Sequence, residues 1–132
     1  MQRRTVLALF TIGLLTSWIA TPAVLAHEGD EMGMMGTDQT IQGEVTDVMC
    51  YLSHGEAGLG QKHVDCAMKC IKSGLPVAIK VGDKLYLAVS ADHQPLNAQL
   101  ADLAGQQVKA TGHVMERDGQ TLIAIERVEA VQ

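Results

Sequence analysis

The sequence predicts a mainly β fold, a five-stranded OB-like Greek-key barrel with a short Cys/His-bearing helical insertion after strand 1 and a helix between strands 3 and 4. Five segments carry β-branched and apolar residues at strand spacing, and two pairs of them are joined by two-residue turns that contain glycine. The order strand, insertion, strand, strand, helix, strand, strand is typical of an OB-type barrel. Such a barrel closes on itself and leaves few exposed strand edges.

The first strand and the insertion that follows it are predicted from local signals. Thr40–Met49 holds apolar and β-branched residues and is expected to be a strand that ends at Cys50. Ser53–Gly60 contains three glycines and is expected to be a loop. A short helix is expected over Asp65–Ser73, because Gly74 stands where a glycine commonly ends a helix.

The rest of the domain is predicted to be two hairpins separated by a helix. Glycine at the first central position of the turn Gly82-Asp83 suits a hairpin turn of type II′, and Asp118-Gly119 is a common hairpin turn. Leucines at i, i+4 and i+7 predict an amphipathic helix that ends before Gly105. The expected elements are the strands Val77–Val81 and Lys84–Val89, the helix Pro95–Leu103, and the strands Gln107–Glu116 and Thr121–Val128.

Residues 1–26 have the pattern of an export signal. Arg3 and Arg4 form a basic start, Val6–Ile19 is an apolar run, and small residues precede a cleavage point after Ala26. We therefore expect a periplasmic or secreted protein with no stable membrane anchor after cleavage. Two arginines suit a general secretory signal and a twin-arginine signal alike, so the export route stays open.

Removing the signal leaves 106 residues, enough for one domain with a modest core. Residues 27–39 have no periodicity and are expected to be a flexible leader, followed by the barrel domain over residues 40–132. The signal carries two of the ten basic residues and none of the fifteen acidic ones, so the exported chain has a formal charge of −7. An acidic chain with only two aromatic residues is not expected to bind nucleic acid. Binding to a partner protein of the cell envelope remains an open alternative.

The leader carries residues with metal-binding chemistry. Cleavage after Ala26 would make His27 the N-terminus, where the amine and the imidazole together suit Cu(II), and thioethers are soft ligands for Cu(I). A disordered tail that binds no metal is an alternative interpretation of this composition. The weak leader site would consist of His27, Met32, Met34 and Met35.

All three cysteines of the chain lie in the insertion. Three is an odd number for a protein exported to an oxidising compartment, so at least one is free, metal-bound or paired with another molecule. A candidate Cys3His ligand set for a zinc or copper ion consists of Cys50, His63, Cys66 and Cys70. On one regular helix His63 and Cys70 would lie about 10 Å apart along the axis, so the helix must begin after His63. His54 is the alternate ligand.

Two other interpretations of the cysteines stay open. A disulfide from Cys50 to Cys66 or Cys70 would pin the insertion to the barrel of a cell-envelope binding module that holds no metal. A reactive thiolate at the start of the helix would instead suit a thiol-based redox protein. The sequence has no Cys-x-x-Cys motif and no serine–histidine–acid pattern, so catalysis is not expected. A site with four protein ligands favours metal handling or structural stapling.

Three short motifs resemble a known group of proteins. They are Asp47-Val48-Met49-Cys50-Tyr51, then His63-Val64-Asp65-Cys66-Ala67-Met68-Lys69-Cys70, and Gly74-Leu75-Pro76-Val77. The chain is similar, over Gly43–Val128, to small exported bacterial OB-fold-like proteins of unassigned function that share a D-x-x-C-Y, H-x-x-C-A-x-x-C and G-x-P-V signature. The resemblance implies the barrel fold and a role for the cysteines and His63, and it implies no particular metal or reaction.

Overall fold

The structure is a computed structural model that describes residues 36–131. The predicted signal peptide and most of the predicted leader, with His27, Met32, Met34 and Met35, lie outside the described residues. Within the described part, none of the helices has the length and apolar character needed to cross a membrane.

Five strands form a closed barrel in the order β1-β2-β3-β5-β4, which confirms the predicted OB-like architecture. Every neighbouring pair is antiparallel except β3 and β5, which run parallel, and β4 pairs with β1 to close the barrel. The strands are β1 Thr37–Asp47, β2 Val77–Val81, β3 Lys84–Ser90, β4 Gln107–Arg117 and β5 Gln120–Ala130.

The two hairpins have the turn geometry that the sequence predicts. Gly82 at the start of the β2–β3 turn has a φ of 50°, a left-handed value that glycine adopts without strain. Asp118 and Gly119 both have positive φ, 51° and 78°, as a type I′ turn between β4 and β5 requires. These local turns therefore make β2 and β3 neighbours, and likewise β4 and β5.

The insertion between β1 and β2 is more helical than expected. Val48–His54 forms a helix, α1, so Cys50 lies in a helix and not at the end of a strand. Gly55–Gly58, expected to be loop, forms a 3-10 turn. The Asp47 carboxylate caps α1 by accepting the backbone N–H of Cys50 at 2.8 Å. The strand was predicted to continue to Met49 because apolar residues follow Asp47, but the backbone leaves the strand at Asp47 and begins α1.

The second insertion helix, α2, spans Val64–Lys72, close to its predicted bounds. It ends as the sequence predicts, since Gly74 has a φ of 97° just beyond the helix. The N–H groups of Gly74 and Leu75 return to the carbonyls of Ile71 and Cys70, at 3.0 and 3.2 Å. This is the Schellman arrangement, which satisfies carbonyls that a helix end leaves free.

The barrel core continues into the insertion. Inside the barrel, four strand residues are completely buried: Val45, Ile79, Val108 and Ile123. Ile71 of α2 is equally buried and belongs to the same core. Between β3 and β4 a short helix, α3 (Asn97–Leu100), is followed by a 3-10 turn, Ala101–Leu103. Both elements contact α2. The helix that carries two of the three cysteines is therefore held against the barrel by apolar packing.

Asn97 fastens α2 to α3 through two hydrogen bonds. Its side-chain amide donates to the carbonyls of Ile71 and Leu75, at 2.9 and 2.7 Å. We expect Asn97→Ala to lower the free energy of unfolding by about 1–3 kcal/mol, because the Leu75 carbonyl loses this donor and the Ile71 carbonyl keeps only the Gly74 N–H. Denaturant unfolding measures this loss of stability, with Gln99→Ala, a change of an exposed residue on the same helix, as the control. Equal stability of the two variants would contradict it.

Candidate metal centre

The insertion brings the three cysteine sulfurs together. Cys50 comes from α1, and Cys66 and Cys70 come from successive turns of α2. The Cys50 sulfur lies 3.7 Å from that of Cys66 and 4.0 Å from that of Cys70, and all three lie within 4.8 Å of one another. The Asp47 cap on α1 and the packing of Ile71 on α2 orient the two helices that carry these thiols.

The sulfur separations match a shared ion and not a covalent bond. A disulfide joins its sulfurs at about 2.05 Å, and all three cysteines are free. The disulfide from Cys50, which the sequence left open as an alternative, is therefore not present. Thiolates at the corners of a tetrahedron, each about 2.3 Å from zinc, lie about 3.8 Å apart. The observed 3.7 and 4.0 Å need little rearrangement to hold an ion.

His63 lies beside this cluster, directly before α2. It occupies the N-cap position of the helix, so its ring is free to fold back, as the sequence analysis requires. One ring nitrogen lies within 4.8 Å of both the Cys50 sulfur and an oxygen of Asp47. The structure thus groups His63 with Asp47 and Cys50, and does not place it within that reach of all three sulfurs together.

His54, the predicted alternate, is an exposed residue at the end of α1. Its ring centroid lies 6.5 Å from that of His63, with the two rings tilted by 58°. Within residues 36–131, the groups of ligand atoms close enough to share an ion include His63 and exclude His54. His63 is therefore the better placed histidine.

Asp47 is a possible ligand that the cysteine and histidine spacing does not predict. Asp47 has no exposed surface, although it is a carboxylate, and it lies within 4.8 Å of the Cys50 sulfur. The D-x-x-C spacing was the available signal, because an aspartate three residues before a cysteine caps the helix and lies beside that thiol. Its burial depends on tertiary packing, which the motif alone does not reveal.

The three cysteines of the cluster differ in solvent exposure. Cys50 is buried, Cys70 is half-buried and Cys66 is exposed. Burial raises the pKa of the Cys50 thiol, and the nearby Asp47 carboxylate and Cys66 sulfur raise it further. Burial also raises the pKa of Cys70, although the contact with the Cys50 sulfur lowers it in part, and the negative charge of Asp47 adds to the rise. Both thiols therefore hold their protons in the metal-free protein, and a bound cation would displace them.

These pKa shifts predict the order of thiol alkylation in the reduced, metal-free protein. We expect iodoacetamide near pH 8 to modify Cys66 first, and Cys50 more than about tenfold more slowly than in the unfolded chain, because only the thiolate reacts. Peptide mass mapping over time measures the order. Reaction of Cys66 much faster than an ordinary free thiol would instead favour the redox interpretation, and early modification of Cys50 would contradict the burial argument.

Comparison with known proteins adds no family or function to this geometry. No family model matches the chain, and no curated protein and no solved structure is significantly similar to it.

Proposed function

We propose that this chain is a small exported protein that binds zinc or copper through Cys50, Cys66 and Cys70, with His63 as a further ligand. The observation that carries the proposal is the separation of the sulfurs, 3.7 and 4.0 Å, in three free cysteines. Thiolate and imidazole are the ligands that these two ions prefer. The periplasm or the extracellular space is the proposed location, on the basis of the N-terminal signal pattern.

The exposure of Cys66 supports metal handling over structural stapling. A sulfur at the surface gives a partner's ligand access to the ion, which transfer of the ion requires. The barrel also has its own apolar core, to which the strands contribute most of the residues and which includes none of the proposed ligands. The protein is therefore proposed to take up, store or pass on a metal ion, and not to depend on the ion for its fold.

This distinction predicts the effect of a chelator. Removing the ion is expected to leave the β-sheet signal in far-ultraviolet circular dichroism unchanged, because the barrel core does not include the ligands. The melting temperature should fall, since an ion that binds only the folded state at 100-fold its dissociation constant stabilises it by about 2.7 kcal/mol. Loss of the β-sheet signal on chelation would show a structural role instead.

Elemental analysis tests metal binding itself. The mature protein, exported to the periplasm and purified without tags or chelators, is expected to carry at least one zinc or copper per chain, with three thiols titrating after chelation and denaturation. His63→Ala is expected to lower the metal content, and His54→Ala, its matched control, is expected to leave it unchanged. Absence of metal together with a single titratable thiol would overturn the proposal in favour of a disulfide.

A further inference from the structure

Asp47 is a buried carboxylate with an unused oxygen. The residue has no exposed surface. Oδ1 accepts the Cys50 backbone N–H, whereas Oδ2 is buried without a hydrogen-bond partner. The ion pairs found among residues 36–131 do not include Asp47. Burying a carboxylate without a compensating positive charge costs folding free energy. A cation bound beside Asp47 would offset that cost.

A second unpartnered atom lies in the same place. His63 Nε2 is buried and has no hydrogen-bond partner. A ring nitrogen of His63, an oxygen of Asp47 and the Cys50 sulfur all lie within 4.8 Å of one another. Carboxylate, imidazole and thiolate are three ligand types that zinc accepts. These atoms form a three-ligand group that is distinct from the three sulfurs and shares only Cys50 with them.

We propose that the centre holds two zinc ions, with the Cys50 thiolate bridging them. One ion is held by Cys50, Cys66 and Cys70, and the other by Asp47, Cys50 and His63. A thiolate has more than one lone pair and is able to bridge two ions. The inference rests on the proposed function, because it extends the same site.

Charge balance favours two divalent ions over one. Three thiolates and the Asp47 carboxylate carry four negative charges, and His63 binds as a neutral ligand. One divalent ion would leave two negative charges in a site that includes the fully buried Asp47 and the buried Cys50. Two divalent ions neutralise the ligand set. Two Cu(I) ions would leave the same excess of two negative charges, so the charge balance favours two zinc ions over two Cu(I) ions.

Zinc titration followed by native mass spectrometry tests the stoichiometry. The full mature chain, reduced and freed of metal, is expected to bind two zinc ions at saturation. Asp47→Asn and His63→Ala are each expected to bind one, and His54→Ala is expected to bind two. Asparagine keeps an oxygen that accepts the Cys50 N–H, so the cap on α1 is retained.

The outcomes separate the two proposals. A parent protein that saturates at one zinc, or an Asp47→Asn variant that still binds two, overturns the bridged pair and leaves the metal-binding function standing. A parent that binds no zinc or copper overturns both. Circular dichroism of the metal-free variants checks their folding, and if Asp47→Asn does not fold, the stoichiometry of His63→Ala decides.

Discussion

Replacing Cys50 by serine is expected to reduce bound metal to background, with a loss of affinity of more than about 100-fold. Removing even an outer-shell partner of a metal ligand costs 10–100-fold, and Cys50 is the residue common to both groups of ligand atoms that lie close enough to share an ion. Its sulfur is also the one from which both short sulfur separations are measured. Competition against a chromophoric chelator, with elemental analysis of the purified variant, gives the affinity and the content.

Met49→Ser is the matched control for Cys50→Ser. Met49 is the neighbouring sulfur residue on α1, but 59% of its surface is exposed. We expect this variant to keep the metal content and the affinity of the parent. Full metal content in folded Cys50→Ser would contradict the assignment of Cys50, and loss of metal in Met49→Ser would extend the site to a thioether.

Ile71→Ala is expected to have the largest effect on stability, about 2–5 kcal/mol, because it removes a fully buried side chain and leaves a cavity. Ile71 belongs to the barrel core and lies next to Cys70 on α2. Weaker packing of α2 should therefore also weaken metal binding. Differential scanning calorimetry is expected to show a fall in melting temperature of roughly 10 °C or more.

Two variants calibrate the effect of Ile71→Ala. Ile71→Val removes one methyl group and should cost about 0.5–1.5 kcal/mol. Lys69→Ala changes an exposed residue of the same helix and should stay within about 0.5 kcal/mol of the parent. If Ile71→Ala cost no more than Lys69→Ala, α2 would not be anchored in the barrel core, and the positioning of Cys66 and Cys70 would need another explanation.

The barrel could be predicted from sequence because its determinants are local. Gly82 and Asp118-Gly119 specify tight hairpin turns, and Gly74 ends α2 through its own backbone conformation. The turns predicted that β2 lies beside β3 and β4 beside β5, and the order of elements along the chain predicted an OB-type barrel. Such features depend on residues a few positions apart, which a sequence displays directly.

Two features of the site depended on tertiary packing and were missed. The predicted strand Thr40–Met49 ran two residues beyond the end of β1 because apolar residues continue past Asp47, and the helix Val48–His54 became evident only in the structure. Tyr51 of this helix faces the amine of Lys80 on β2, 5.1 Å from the ring centroid, a contact between distant parts of the chain. Burial of Asp47 depends on the same packing, so its place beside Cys50 was not predicted.

X-ray absorption spectroscopy at the edge of the bound metal tests most directly the claim that the three cysteines hold an ion. The protein purified from the periplasm is expected to show sulfur as the main scatterer, at about 2.3 Å for zinc, with fewer nitrogen or oxygen scatterers. The sulfur signal should disappear in Cys50→Ser. A spectrum with only nitrogen and oxygen around the metal, or metal-free protein with a disulfide at Cys50, would contradict the account.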